Sequence, residues 1–324
     1  MSTFPDADYP DRPYPGTRPP RSYVHLDGKG HELEPAWTVD GEDLDDWLIA
    51  NQAAPLSERV PVLTYGSNAN PSKITWLREN LGLTGPVPVM RAQCAGLAAV
   101  WASGFRVVDT QRPVTLAAMN GTETHALWFA DAAQVKVLDV CEGRGDRYHL
   151  ARVHTGHVSL EDGSVWDAPL AYTAHAQIRL PLHINGQPVR AATVDQAAAR
   201  ELVGTPGPTG LSVSVVDGSP RPEDFPARVF VYGTLRPGSS AWELVAPHVL
   251  GEPYPATIRG TVFDTGFGYP GLLNGAGEVS GWVLPLRDPA IALATLDSYE
   301  GGEYRRVRVV TSGSTVCWAY RWIA

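Results

Sequence analysis

Glu142 and Glu300 each close a stretch of helical periodicity and stand directly before a glycine. A carboxylate at a helix C-terminus faces the negative end of the helix dipole, which disfavours its charged form. Partial burial there raises the pKa toward neutrality, where a carboxyl group can take up and return a proton. One such glutamate would read as an exposed helix end beside a glycine cap. Here the string Leu-Asp-x-x-Glu-Gly occurs twice, at residues 138–143 and 296–301. A tyrosine follows each glutamate, Tyr148 six positions on and Tyr304 four. The repetition favours the functional reading.

A second element precedes each glutamate. The apolar runs at residues 60–64 and 229–231 stop at Tyr65-Gly66 and Tyr232-Gly233. Glycine permits backbone angles that turn the following N–H groups outward, as an anion-binding turn requires. Ser67, Asn68 and Thr234 add side-chain donors. Alone, such a turn is an ordinary loop. The order Tyr-Gly and then Leu-Asp-x-x-Glu-Gly, kept twice at similar spacing, predicts two domains of one kind.

The elements that must hold these groups read in the same way twice. Residues 60–63 and 229–231 are short apolar strands. Asn70-Pro71 caps a helix carrying Ile74, Trp76 and Leu77. Residues 87–129 suggest several short strands with glycine turns, and Asp131 starts the helix that ends at Glu142. In the second copy Ser240 and Glu243 form a capping box before Leu244 and Val245. Short strands follow near residues 261–263 and 281–286, and Asp288-Pro289 opens the helix ending at Glu300. Residues 305–310 and 316–322 close as a strand pair. The expected boundaries are a proline-rich, disordered or extended tail with a short helix at 1–57, a first domain at 58–204, a proline-rich linker at 205–226 and a second domain at 227–324. Within 1–57, Asp43 precedes a short amphipathic helix carrying Leu44, Trp47 and Leu48. Short strands mixed with few helices are not the regular alternation of a doubly wound sheet.

Composition narrows the partners. With 324 residues, two domains each have enough chain for a core. A net charge of −9 lacks the basic surface that nucleic acid or an anionic membrane requires. Three cysteines without paired spacing point to a reducing compartment. No apolar run approaches the roughly 20 residues of a membrane span, and the N-terminal residues lack a signal pattern, so a soluble cytoplasmic protein is expected. Gly266, Gly268 and Gly271 spell a dinucleotide fingerprint, but no helical pattern follows them. His154 and His157 lack a third clustered metal ligand. Cys141 has Tyr299 as its counterpart, which favours packing over a nucleophilic role.

Both halves resemble the γ-glutamylcyclotransferase superfamily, and the C-terminal half resembles its AIG2-like branch. The resemblance is carried by residues 231–238 (Val-Tyr-Gly-Thr-Leu-Arg-Pro-Gly), 260–264, 269–272, 296–301 and 304–306, and in the first half by Tyr65-Gly-Ser-Asn68 and residues 138–143. It covers about residues 58–180 and 227–324. It implies a mixed α+β fold of two tandem, small β-barrel-like domains with flanking helices. It further implies cofactor-free and metal-free cyclisation of a γ-glutamyl amine or amino acid to 5-oxoproline. By position, Glu300 and Glu142 match the family's acid/base glutamate. Tyr232, Gly233, Thr234 and Leu235, with Tyr65, Gly66, Ser67 and Asn68, match its substrate-cradling loop. Tyr304 and Tyr320, with Tyr148 and Tyr172, match tyrosines lining its pocket. The implied partner is a small γ-glutamyl molecule. The first half departs further from the pattern, with Gly-Arg-Gly-Asp-Arg before Tyr148 and an insertion at 156–167. One domain or both can be active, and a non-catalytic binding module or a scaffold on the same fold stands as the alternative.

Overall fold

A computed structural model describes residues 2–34 and 37–324. The chain forms two compact units. The first comprises Met1–Pro55, Arg59–Asp162 and Asp167–Pro220; the second comprises Leu56–Glu58, Gly163–Trp166 and Arg221–Ala324.

In the first unit the elements around the candidate residues are β1 (Val60–Thr64), α1 (Pro71–Leu81), β2 (Val87–Trp101), β3 (Val114–Ala130), α2 (Ala132–Glu142), β4 (Tyr148–Val153) and β5 (Leu170–Ala174). Every residue of β1 is buried, which requires partners on both edges. β3 supplies one, antiparallel with Val60 opposite Ala130. β5 supplies the other, parallel with Leu170 opposite Val62. The resulting order is β2-β3-β1-β5-β4. α2 buries Val135 and Leu138.

The second unit has β6 (Arg228–Val231), α3 (Trp242–Val245), β7 (Tyr254–Asp264), β8 (Pro270–Pro285), α4 (Pro289–Glu300), β9 (Tyr304–Val310) and β10 (Val316–Trp322). β6 pairs antiparallel with β8, Val229 opposite Leu284, and parallel with β10, Val229 opposite Trp318. The order β7-β8-β6-β10-β9 repeats that of the first unit strand for strand, with the same pairing senses. Leu293 and Leu296 of α4 pack into a fully buried cluster with Val229, Leu284 and Trp318.

The ends of α2 and α4 place the glutamates. Asp131 accepts the N–H groups of Ala133 and Gln134, and Asp288 accepts that of Ile291. Each helix stops at a glycine with positive φ, 66° at Gly143 and 69° at Gly301. A side chain at either position costs roughly 1 kcal/mol, so glycine is what lets the chain turn off immediately after the glutamate.

Several expectations are corrected. The sheets are open rather than closed barrels; in the second unit β7 meets the chain after β9 at a single bridge, Ile258 to Thr311. The short strands expected on either side of glycines merge into long hairpins. Gly96 and Gly260 are bulges within β2 and β7, not turns between strands, because glycine tolerates the local bend of an extra residue. The proline-rich residues before 22 are not a disordered tail. Thr3–Pro5 pairs with Lys29–His31, and the Asn70 amide donates to the carbonyls of Tyr9, Pro10 and Thr17 at 3.0, 3.0 and 2.6 Å. Proline removes donors from that segment but leaves its carbonyls for Asn70 to collect. Part of the expected linker is an edge strand: Val213–Val215 pairs with β4, Val213 opposite Val153. Ser240 does not cap; α3 starts after Ala241 without a side-chain cap. The helix after Asp43 forms as expected, with the Asp43 side chain accepting from Asp45 N–H. No helix among the described residues is long and apolar enough to cross a membrane.

Candidate active site

In the second unit a cavity of about 380 Å³ opens between the end of β6 and the end of α4. Tyr232, Gly233, Thr234, Leu235, Glu300, Tyr304 and Tyr320 all line it, so every residue nominated in this half meets at one place. The hydroxyls of the three tyrosines are committed to the protein. Tyr232 donates to the Tyr320 carbonyl at 2.9 Å, Tyr304 to the Pro270 carbonyl at 2.8 Å, and Tyr320 to Asp297 Oδ1 at 2.7 Å. Burial, reinforced by the neighbouring carboxylates, holds the Tyr304 and Tyr320 hydroxyls protonated well above the ordinary tyrosine range. Their rings therefore wall the cavity while their polar ends brace it.

Glu300 differs from them. Its carboxyl group is half-buried and has no hydrogen-bond or ion-pair partner among the described residues. Desolvation alone pushes its pKa up to about 7. A free carboxyl poised at neutrality beside a small cavity is suited to moving a proton. Thr234 and Leu235 line the same cavity, and their N–H groups have no protein acceptor among the described residues. They can receive negative charge.

The first unit repeats these bonds. Tyr65 donates to the Tyr172 carbonyl, Tyr148 to the Val114 carbonyl at 3.3 Å, and Tyr172 to Asp139 Oδ1 at 2.7 Å. Gly66, Ser67 and Asn68 follow Tyr65, and the Asn68 side-chain amide donates to Glu142 Oε1 at 2.7 Å. Burial raises the Glu142 pKa, and Asn68, then Lys73, Arg147 and Arg179, pull against it. Arg147 also caps the end of α2, donating to the carbonyls of Cys141 and Glu142. Burial pushes the Cys141 thiol up to about 11, against a nucleophilic role.

Three features escaped the sequence. Asp139 and Asp297 anchor Tyr172 and Tyr320; their recurrence in both Leu-Asp-x-x-Glu-Gly strings was the available signal. Tyr14 and Arg18 reach the first site from the segment expected to be a tail. Tyr14 accepts the Val114 N–H at 3.2 Å, and Arg18 donates to the Tyr65 and Gly66 carbonyls. Tyr269, Tyr299 and Glu303 complete the second cavity.

Residues 229–324 match the family described as gamma-glutamyl cyclotransferase, AIG2-like. This segment, which lies within the second unit, belongs to the γ-glutamylcyclotransferase superfamily. Among solved structures the chain is similar to an AIG2-like protein from Mus musculus, at 23% identity over 29% of this chain and 76% of that one, with a TM-score of 0.26. An uncharacterized protein from Pyrococcus horikoshii is similar at 24% identity over 30% and 77%, TM-score 0.25. YkqA from Bacillus subtilis is similar at 12% identity over 93% of this chain and 84% of that one, TM-score 0.25. No curated protein matches the chain. The superfamily match falls on the unit with the open cavity and the unpartnered glutamate.

Proposed function

We propose that the second unit converts a γ-glutamyl amine or γ-glutamyl amino acid to 5-oxoproline and releases the amine. The single observation that carries this reading is Glu300, unpartnered among the described residues and poised near neutrality on a cavity that Thr234 and Leu235, whose N–H groups have no protein acceptor among those residues, also line. The reaction needs little beyond those groups. Holding the γ-glutamyl chain folded brings its α-amine onto its γ-carbonyl, and proximity supplies much of the acceleration. The α-nitrogen forms the new C–N bond, and Glu300 takes the proton it loses. The Thr234 and Leu235 N–H groups receive either the substrate carboxylate or the developing oxyanion. Collapse breaks the old C–N bond, and Glu300 returns the proton to the departing amine.

We assign the two units to a tandem repeat of one domain, with Glu142 as the first unit's equivalent group. The shared strand order and three matching tyrosine bonds support this assignment. One or both units turn over. The proposal includes a cytoplasmic location, with which three free thiols are compatible.

The test is a panel of γ-glutamyl amines and amino acids incubated with the full chain, reading 5-oxoproline and, in parallel, ligand binding. Release from at least one member supports catalysis. Binding without release from any member rejects it in favour of a binding module.

A further inference from the structure

The carbonyl of the glycine in each Tyr-Gly turn takes a hydrogen bond from an arginine. Arg18 Nη2 donates to the Gly66 oxygen at 2.8 Å and to the Tyr65 oxygen at 2.6 Å. Arg236 donates to the Gly233 oxygen from Nε at 3.0 Å, beside the turn bond from its own backbone N–H at 3.3 Å, so only the Nε bond carries the guanidinium charge. The two arginines have unrelated places in the sequence, one 48 residues before its glycine and the other three after. A repeat cannot copy a contact between positions that do not correspond. The same contact reached by two routes marks a requirement on the glycine carbonyl itself.

That requirement has a physical meaning. The glycine C=O and the N–H of the next residue belong to one planar amide, so whatever fixes the oxygen fixes the direction of the N–H. A charge-assisted bond to the oxygen also draws electron density toward it, which makes the N–H a stronger donor. The next residues are Ser67 and Thr234. Thr234 lines the cavity, and its N–H has no protein acceptor among the described residues. Arg236 itself is exposed and is not among the residues lining this cavity, so its link to the cavity runs through the Gly233–Thr234 amide.

We propose that Arg236 and Arg18 are positioning residues, each orienting and polarising the glycine amide so that the N–H of Thr234 or Ser67 binds negative charge on the ligand. What that charge is rests on the cyclotransferase reading; the polarisation does not. For the first unit, the N-terminal segment is then part of the site. Its hold is the Asn70 side chain, which gathers the carbonyls of Tyr9, Pro10 and Thr17, and the Ser72 hydroxyl, which shares the Tyr9 carbonyl and adds that of Asp6.

The test uses the full chain with Arg236→Met and Arg236→Lys, each in a Glu142→Gln background so that only the second site reports. The first readout needs no turnover: the proton chemical shift of the Thr234 backbone amide. Arg236→Met moves it upfield, and Arg236→Lys restores part of the shift. The second readout is 5-oxoproline release. Arg236→Met lowers kcat/KM by about 10-fold, less than outright loss of an oxyanion donor costs, and Arg236→Lys recovers part of it. A fall confined to kcat assigns the amide to the oxyanion; a rise confined to KM assigns it to the ground-state carboxylate. An unchanged Thr234 shift overturns the proposal, whatever happens to melting temperature. Absence of 5-oxoproline release from the parent chain rejects the cyclotransferase reading, and the amide shift still decides this one. Arg18→Met and Arg18→Lys, in a Glu300→Gln chain, apply the same measurements to Ser67.

Discussion

Tyr320 donates its hydroxyl to Asp297 Oδ1 at 2.7 Å, tying the last strand of the second unit to the helix that ends in Glu300. Asp297 also pairs with Arg306 at 2.7 Å, so one carboxylate joins α4, β9 and β10. The bond sets where the glutamate stands, although neither partner needs to touch substrate through its polar atoms.

Tyr320→Phe removes the bond and leaves the ring. A hydrogen bond to a charged group contributes about 1.5–3 kcal/mol, and the half-exposed Asp297 discounts this to about 1–2 kcal/mol. Urea denaturation of the second unit is expected to shift by that amount. Tyr172→Phe, which breaks the matching bond to Asp139, is expected to do the same to the first unit. Unchanged midpoints for both would remove the anchoring role.

The pH dependence of turnover follows from Glu300. With its pKa at about 7, the carboxylate that accepts the proton is mostly absent at pH 6 and mostly present at pH 8. In a Glu142→Gln chain, kcat/KM should therefore rise about 10-fold between those values. A glutamate at its ordinary value of 4.5 would give a flat profile over the same range.

Stability carries the same shift with the opposite sense. A folded-state pKa raised above the unfolded value means that the fold favours protonated Glu300. The stabilisation is complete below about pH 4.5 and is lost as pH rises through about 7. Glu300→Gln mimics the protonated form, so it should raise the melting temperature at pH 8.5 and leave it nearly unchanged at pH 4.5. The gain is at most about 3 kcal/mol, reduced by the group's partial exposure. Equal effects at both pH values would mean that the carboxyl is not desolvated.

Asn68 distinguishes the two glutamates. Its amide donates to the charged form of Glu142 and is the largest influence opposing burial there. Asn68→Ala should raise the Glu142 pKa further, seen as an upward move in its carboxyl carbon titration by NMR. A downward move would reassign the bond.

Much of the candidate site was legible because its signals are local. A glutamate before a glycine stop and a Tyr-Gly at a strand end are fixed by helix and strand termination, and both copies announced them. Tyr320 and Tyr172 became visible only through the family resemblance, since nothing near them in sequence marks a pocket. What stayed hidden depended on distant partners. The long hairpins of β2–β3 and β7–β8 read as short strands because the bulges at Gly96 and Gly260 are defined only by the opposite strand. The proline-rich residues before 22 read as a disordered or extended tail because the Asn70 amide that collects carbonyls from that segment lies 53 to 61 residues away. Val213–Val215 read as linker because its hydrogen bonds come from β4.

The central claim, that Glu300 moves the proton in a cyclisation, is tested most directly by one comparison. Steady-state release of 5-oxoproline is measured at pH 8 from the most reactive γ-glutamyl compound, using Glu142→Gln and the Glu142→Gln, Glu300→Gln double variant. Loss of a general acid/base lowers kcat by about 100-fold or more while ligand binding persists. A double variant that keeps its kcat within about 3-fold of the parent would contradict the account.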